Sequence, residues 1–189
     1  MSELQTKWDA IYRQRHEATA AEVLAEQHFL LPKQGQALDL ACGLGGNALL
    51  LAEAGLDTEA WDVSPVALDR LQQQAATRRL NIATRQCHID AASLANRQFD
   101  VIVISRFLDR SLCNAIMATL KPEGLLFYQT FTRTKLAASG PSNPDYLLDR
   151  NELLQLFAPL AVVYYQEHAR IGDWQYGDRN EARFIGQKL

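Results

Sequence analysis

The sequence has no pair of cysteines at metal-ligating or redox spacing. Cys42, Cys87 and Cys113 are odd in number, far apart and form no C-x-x-C. That argues against a disulfide framework and a cysteine zinc site, and the three read as reduced, mostly buried thiols. No stretch approaches the roughly 20 apolar residues a membrane span needs, and Met-Ser-Glu-Leu-Gln-Thr-Lys-Trp lacks an apolar leader segment, so a cytoplasmic protein is expected. A charge excess is missing too. Lys+Arg 19 against Asp+Glu 22 gives a formal charge of −3, scattered along the chain, so neither nucleic acid nor an anionic membrane is an expected partner. His16, His28, His88 and His168 are isolated, and no D-x-D or His/carboxylate cluster suggests a magnesium site; no metal is expected. There is no repeat, linker or low-complexity tract. The 189 residues suit a single domain, with 1–32 as an N-terminal helical cap and 36–189 as an α/β core.

What is present is organised around residues 36–48, Gln-Ala-Leu-Asp-Leu-Ala-Cys-Gly-Leu-Gly-Gly-Asn-Ala, an apolar run that breaks into glycines and resumes as a helical pattern. This spells a strand, a tight turn and a helix start. Glycines at 43, 45 and 46 let a ligand approach main-chain N–H groups at the helix N-terminus. Asp39 is expected to project a carboxylate into the same crevice, which suits a ligand carrying a cation better than one carrying a diphosphate.

Ahead of this turn, residues 3–16 carry Leu4, Trp8, Ile11, Tyr12 and Arg15 at helical spacing, and 18–30 read as a second helix ending before Pro32. Behind it come a helix at 45–54, a strand at 58–62, and a helix from Pro65 with Ser64 as its N-cap. A strand follows at 82–89. Residues 99–105, Phe-Asp-Val-Ile-Val-Ile-Ser, form a near-continuous apolar run, as in a central parallel strand buried on both faces. Next come a helix at 108–120, a turn at 121–124, a strand at 125–131, a long loop at 132–146, a helix capped by Asp149, and strands at 160–168 and 181–187. The alternation predicts an α/β fold: a doubly wound, Rossmann-like, seven-stranded sheet, mostly parallel with a C-terminal antiparallel hairpin, helices on both faces, and ligand at the carboxyl ends of the strands.

Residues 43–48 also fit G-x-G-x-x-A, a dinucleotide fingerprint, and Asp62 lies 17 residues after Gly45, near where an acid for ribose hydroxyls belongs. A nicotinamide-dependent oxidoreductase therefore stays open. Against it stand the carboxylate of Asp39 beside a diphosphate and the lack of room for a separate substrate domain.

Asp39-Leu40-Ala41-Cys42-Gly43-Leu44-Gly45-Gly46, Trp61-Asp62-Val63-Ser64-Pro65, Phe99-Asp100-Val101-Ile102 and Leu120-Lys121-Pro122-Glu123-Gly124-Leu125-Leu126 together resemble the class I S-adenosylmethionine-dependent methyltransferases. The small size and the Trp8-Asp9-Ala10-Ile11-Tyr12 opening are most similar to the small bacterial enzymes grouped with tellurite-resistance and thiopurine-type methyltransferases. The resemblance implies S-adenosylmethionine as cofactor, a small-molecule methyl acceptor, and these contacts: Gly43, Gly45, Asp39 and the Ala41 carbonyl around the methionine portion; Asp62 on the ribose hydroxyls; Val63 on the adenine ring; Asp90 and Ala91 at the adenine edge; Ser105 and Arg106 closing the crevice. Cap or turn chemistry is the plainer alternative for Asp39, Asp62 and Asp90. Tyr12, Arg106, Tyr128 and loop 132–146, with Arg170 and Arg183, are candidates for shaping the acceptor pocket, and no catalytic base is assigned. Arg106-Phe107 after Ser105, where amine-methylating members often carry Asn/Asp-Pro-Pro-Tyr, speaks against an exocyclic-amine methyltransferase acting on nucleic acid. A cofactor-binding partner subunit without chemistry of its own is the third reading; oligomeric state is not legible.

Overall fold

A computed structural model describes residues 2–15, 17–138 and 140–189; His16, and Ser139 of the expected loop, lie outside them. The order of elements is α1 (Glu3–Gln14), α2 (Glu22–Glu26), β1 (Gln36–Leu40), α3 (Gly46–Glu53), β2 (Asp57–Asp62), α4 (Pro65–Arg78), β3 (Ile82–Gln86), α5 (Ala91–Leu94), β4 (Phe99–Ser105), α6 (Cys113–Thr119), β5 (Leu120–Phe131), α7 (Glu152–Leu156), β6 (Ala161–Gln166) and β7 (Glu181–Gln187). They build a seven-stranded sheet in the order β3-β2-β1-β4-β5-β7-β6, in which β1 to β5 run parallel and β7 runs antiparallel to both β5 and β6. The winding reverses between β1 and β4, so the carboxyl ends of those two strands open onto a crevice.

β4 shows why the middle of the sheet cannot move. Val101 and Val103 pack with Ala37, Phe127 and Ile185 on one face, while Ile102 and Ile104 pack with Leu38, Leu40 and Leu126 on the other. Each such side chain contributes roughly 1.5–3 kcal/mol on burial. Trp61 is fully buried at the end of β2, its ring covered by the guanidinium of Arg85 at 4.5 Å.

The departures from sequence expectation have local causes. Helix 18–30 shrinks to Glu22–Glu26 plus a 3-10 turn at His28–Leu30. Residues 17–21 are not helical; their main chain passes the start of α3, where the Ala21 N–H donates to the Asn47 Oδ1 at 2.8 Å. Tertiary contact here overrides the helix propensity of an Ala/Glu-rich stretch. β3 stops at Gln86, and α6 begins only at Cys113 after a 3-10 turn. The turn expected at 121–124 is an irregularity within a longer β5: Phe99 pairs with Leu120 but Val101 pairs with Leu125, with Glu123 at φ 64°. Asn151, at φ 60°, not Asp149, is the N-cap residue of α7. Among the described residues no helix is long and apolar enough to cross a membrane.

Candidate functional site

The turn after β1 is built by positive φ angles at Ala41 (58°), Gly43 (52°) and Gly45 (78°). Two of its glycines make room for protein rather than for ligand. A Cβ on Gly45 would lie 2.4 Å from Leu71 Cδ1 of α4, and one on Gly46 would lie 2.2 Å from the Thr19 carbonyl oxygen. With Gly45 as N-cap, α3 has no capping side chain of its own, and the strand supplies one: Asp39 Oδ2 accepts from the Ala48 N–H at 3.0 Å and Oδ1 from Asn47 Nδ2 at 3.2 Å. Asp39 is fully buried, so it caps α3 from below instead of reaching into the crevice. Burial pushes its carboxyl up to about 7 against the lowering effect of those two hydrogen bonds.

Asp62 reaches the crevice. Its Oδ2 accepts from the Gly43 N–H at 2.8 Å and its Oδ1 from the Ser64 N–H at 2.9 Å, which ties the end of β2 to the glycine turn and fixes the carboxylate plane. Burial raises its pKa, and the two N–H groups oppose that rise. Each oxygen keeps a further lone pair for a ligand hydroxyl.

α1 covers this half. Ser2 caps it by accepting from the Gln5 N–H, and Trp8, Ile11, Tyr12 and Arg15 face the crevice. The helix is latched at both ends of its contact with α4: the Ser64 hydroxyl donates to buried Asp9, and the Arg70 guanidinium donates to the carbonyls of Tyr12, Arg13 and Arg15. Tyr12 lies so close over Gly43 that a Cβ there would come within 2.8 Å of its hydroxyl. Burial, then the neighbouring Asp62, pushes that phenol far above its ordinary pKa.

The crevice continues past Ser105 and Arg106 to a second half walled by Glu22, Phe107, Phe131, Gly140 to Asn143, Asp145, Tyr146, Asn180 and Glu181; the whole cleft has a volume of about 1470 Å³. That exceeds the roughly 300–1,000 Å³ of a single-ligand pocket. Arg106, at φ 55°, donates through Nε to Glu181 at 2.8 Å. Burial alone would lower its pKa, yet Glu181 and then Glu22 raise it. The loop after β5 is closed at its base by a bridge between Thr132 and Leu148. Arg110 braces it, pairing with Glu152 through Nε (2.6 Å) and Nη2 (2.9 Å) while donating to the Asp145 and Leu147 carbonyls.

Of the residues singled out in the sequence, Ala41, Gly43, Gly45, Asp62, Val63, Ser105, Tyr12, Arg106 and much of loop 132–146 come together around this cleft. Others do not. Asp90 and Ala91 lie outside it, because Asp90 spends its carboxylate on the Ser93 N–H in a capping box at α5; Cys87, His88 and Ile89 line the wall in their place. Tyr128 is a core residue: it points into the sheet's other face against Phe157 and donates to the Phe107 carbonyl at 2.9 Å. Arg183 is buried against Glu26, and Arg170 is exposed away from the cleft. Sequence reading missed Asn47, Glu22, Gln129 and Glu181, polar residues that reach partners 26 to 107 positions away, contacts that leave no local signal. Among the described residues no His/Cys/Asp/Glu group could hold a metal ion.

Residues 37–124 match the sequence profile described as a methyltransferase domain. The chain is 32% identical to Hemagglutinin 1 of Eikenella corrodens over 69% of its own length and 45% of that protein. It is 29% identical to the putative methyltransferase YqeM of Bacillus subtilis over 71% and 60%, respectively. It spans about half the length of the curated relatives it matches. The structure of TehB from Haemophilus influenzae superposes with a TM-score of 0.72 at 21% identity, over 97% of this chain and 67% of that one, a likeness of fold. The residues of the cleft fit the cofactor such a profile implies: a carboxylate fixed for a diol, glycine-turn main chain for a polar tail, and an apolar wall of Val63, Cys87 and Ile89 for a flat ring. Residues 37–124 are thus similar to a methyltransferase domain, and the fold around them is that of the TehB structure.

Proposed function

We propose that the protein transfers a methyl group from S-adenosylmethionine to a small-molecule acceptor held in the second half of the cleft. The observation that carries this reading is Asp62, locked by two main-chain N–H groups beside a cleft with room for a second molecule. When bound, the cofactor supplies a methyl group already activated as a sulfonium. The protein then has to bind, orient and exclude water. Asp62 would accept the ribose hydroxyls, the turn at Ala41 and Gly43 would meet the methionine end, and Tyr12 belongs to this half rather than to the acceptor's. With donor and acceptor in line at about 3–3.5 Å, proximity supplies roughly 7–11 kcal/mol of the barrier. No side chain is assigned as a base.

The acceptor half is walled by Glu22, Asp109, Asp145, Asp178 and Glu181 against Arg106 and Arg110, the latter already paired with Glu152. That sign of charge favours neutral or cationic acceptors and disfavours nucleic acid. In this reading residues 1–32 serve as the cover of the 36–189 core within one unit. The nicotinamide alternative loses one earlier objection, since buried Asp39 does not face the crevice, but the methyltransferase-domain profile does not favour it.

Calorimetric titration with S-adenosylmethionine, S-adenosylhomocysteine and NADH tests the reading. Micromolar binding of the first two and none of the third is expected, and binding of NADH alone overturns it.

A further inference from the structure

Two buried side-chain amides are engaged with the same short stretch of main chain. Asn47, at the start of α3, accepts the Ala21 N–H through Oδ1, while its Nδ2 donates to Asp39 Oδ1 at 3.2 Å and to Ser105 Oγ at 3.0 Å. Gln129, near the end of β5 and paired across the sheet with Ser105, accepts the Val23 N–H through Oε1 at 2.9 Å. Its Nε2 donates both to Glu22 and to Glu181, the carboxylate that holds Arg106. The two residues are 3% and 1% exposed, and their hydrogen-bonding groups are filled by these partners. Thr19 meanwhile rests its carbonyl on Gly46, where no other residue would fit.

Residues 17–23 thus cross the carboxyl ends of β1, β4 and β5 as a strap. Glu17, Ala18, Thr19 and Glu22 line the cleft, and the strap leads back to α1 with Trp8 and Tyr12. One amide fastens it to the cofactor floor and the other to the acceptor wall. A segment following only its own propensity would be helical from residue 18, as the sequence pattern expects; Asn47 holds the chain at Ala21 ahead of α2, and Gln129 takes the free Val23 N–H in the first turn of α2. Burial would raise the Glu22 carboxyl, but the Gln129 amide, with Arg106 and Arg183 beyond it, brings it below its ordinary value, so it stays ionised in the acceptor half.

We propose that Asn47 and Gln129 are positioning residues. Asn47 seats the strap so that α1 closes over the cofactor half. Gln129 sets Glu22 and, through Glu181, the guanidinium of Arg106 in the acceptor half. This deepens the methyltransferase reading and rests on it for the identity of the two ligands, but the clamp itself can be tested without an acceptor.

The test is amide hydrogen exchange on the full chain, with and without S-adenosylhomocysteine as probe, β4 amides serving as the reference for global stability. Asn47→Ala is expected to speed exchange at residues 17–23 at least tenfold and to weaken S-adenosylhomocysteine at least fivefold. Gln129→Leu is expected to speed exchange at 21–23 while leaving affinity for the probe within threefold. A general packing role would not divide the two variants in this way. Unchanged exchange at 17–23 in both variants, with β4 protection intact, overturns the clamp; so does equal loss of affinity in both. If the parent protein fails to bind the probe, the cofactor reading fails, and the exchange arms alone still decide whether the amides hold the strap.

Discussion

The two halves of the cleft are built in different ways. The half proposed for the cofactor rests on consecutive strand-turn-helix units, and its defining contacts are short in sequence: Asp39 to Ala48, Asp62 to Ser64, Asp62 to Gly43. The half proposed for the acceptor is assembled from β4, β5, β7, the strap and two loops, through bonds such as Gln129 to Glu22 and Arg106 to Glu181. The first kind of site is prescribed by local turn geometry and tolerates little change. The second is held by side-chain networks whose members could vary together without disturbing the sheet, which is how one fold comes to serve many acceptors.

If that contrast holds, substitutions in the cofactor half should act through backbone fit and cofactor affinity, with the largest effect at the close approach of strap and helix. Gly46→Ala would force apart the Thr19 carbonyl and α3, and a loss of about 3 kcal/mol of unfolding free energy is expected by denaturant titration. A loss below 0.5 kcal/mol would mean the strap does not lie against α3. Next comes the pH dependence of Asp39. Its folded-state pKa of about 7 lies above the ordinary value near 4, so the folded protein binds more protons than the unfolded chain between these pH values. Stability from this group is therefore greatest below about pH 4 and falls as pH rises to about 7. Between pH 5 and 7 the parent should lose about 2–3 kcal/mol from this source, and Asp39→Asn should remove that slope in paired denaturation curves.

Asp62→Ala should weaken S-adenosylmethionine by roughly 1–3 kcal/mol, about ten- to a hundredfold in Kd by calorimetry, through lost charge-assisted hydrogen bonds. An unaltered Kd would move the ribose site elsewhere. The smallest effect sharpens the comparison most. Asp90→Ala should cost about 1 kcal/mol of stability as a lost helix cap and leave cofactor affinity unchanged. A tenfold drop in affinity would restore Asp90 to the adenine edge.

Much of the architecture around the glycine turn was legible because its signals are local. A glycine turn after an apolar run, an acid at the end of the next strand, and Ser-Pro at a helix start each carry their own geometry, and Ser64 does accept from the Ala67 N–H as an N-cap should. Two inferences from residue type alone, one in each half, failed on direction. Asp39 points under α3 and Tyr128 into the core, because strand residues alternate faces and the pattern of a doubly buried strand does not say which face is which. Asp90 was visible as an acid after a strand, and the structure places it on the plainer of its two readings, a cap.

The sequence by itself determined the alternation of strands and helices, the doubly wound sheet, and the glycine turn with Asp62 beside it, since periodicity and turn chemistry act over a few positions. Only the tertiary structure decided the strap, the roles of Asn47 and Gln129, and the pairing of Arg106 with Glu181. Those depend on main chain and side chains far apart in sequence meeting at one buried place, where an unpaired polar group costs about 1–3 kcal/mol and partners are therefore found wherever the fold brings them.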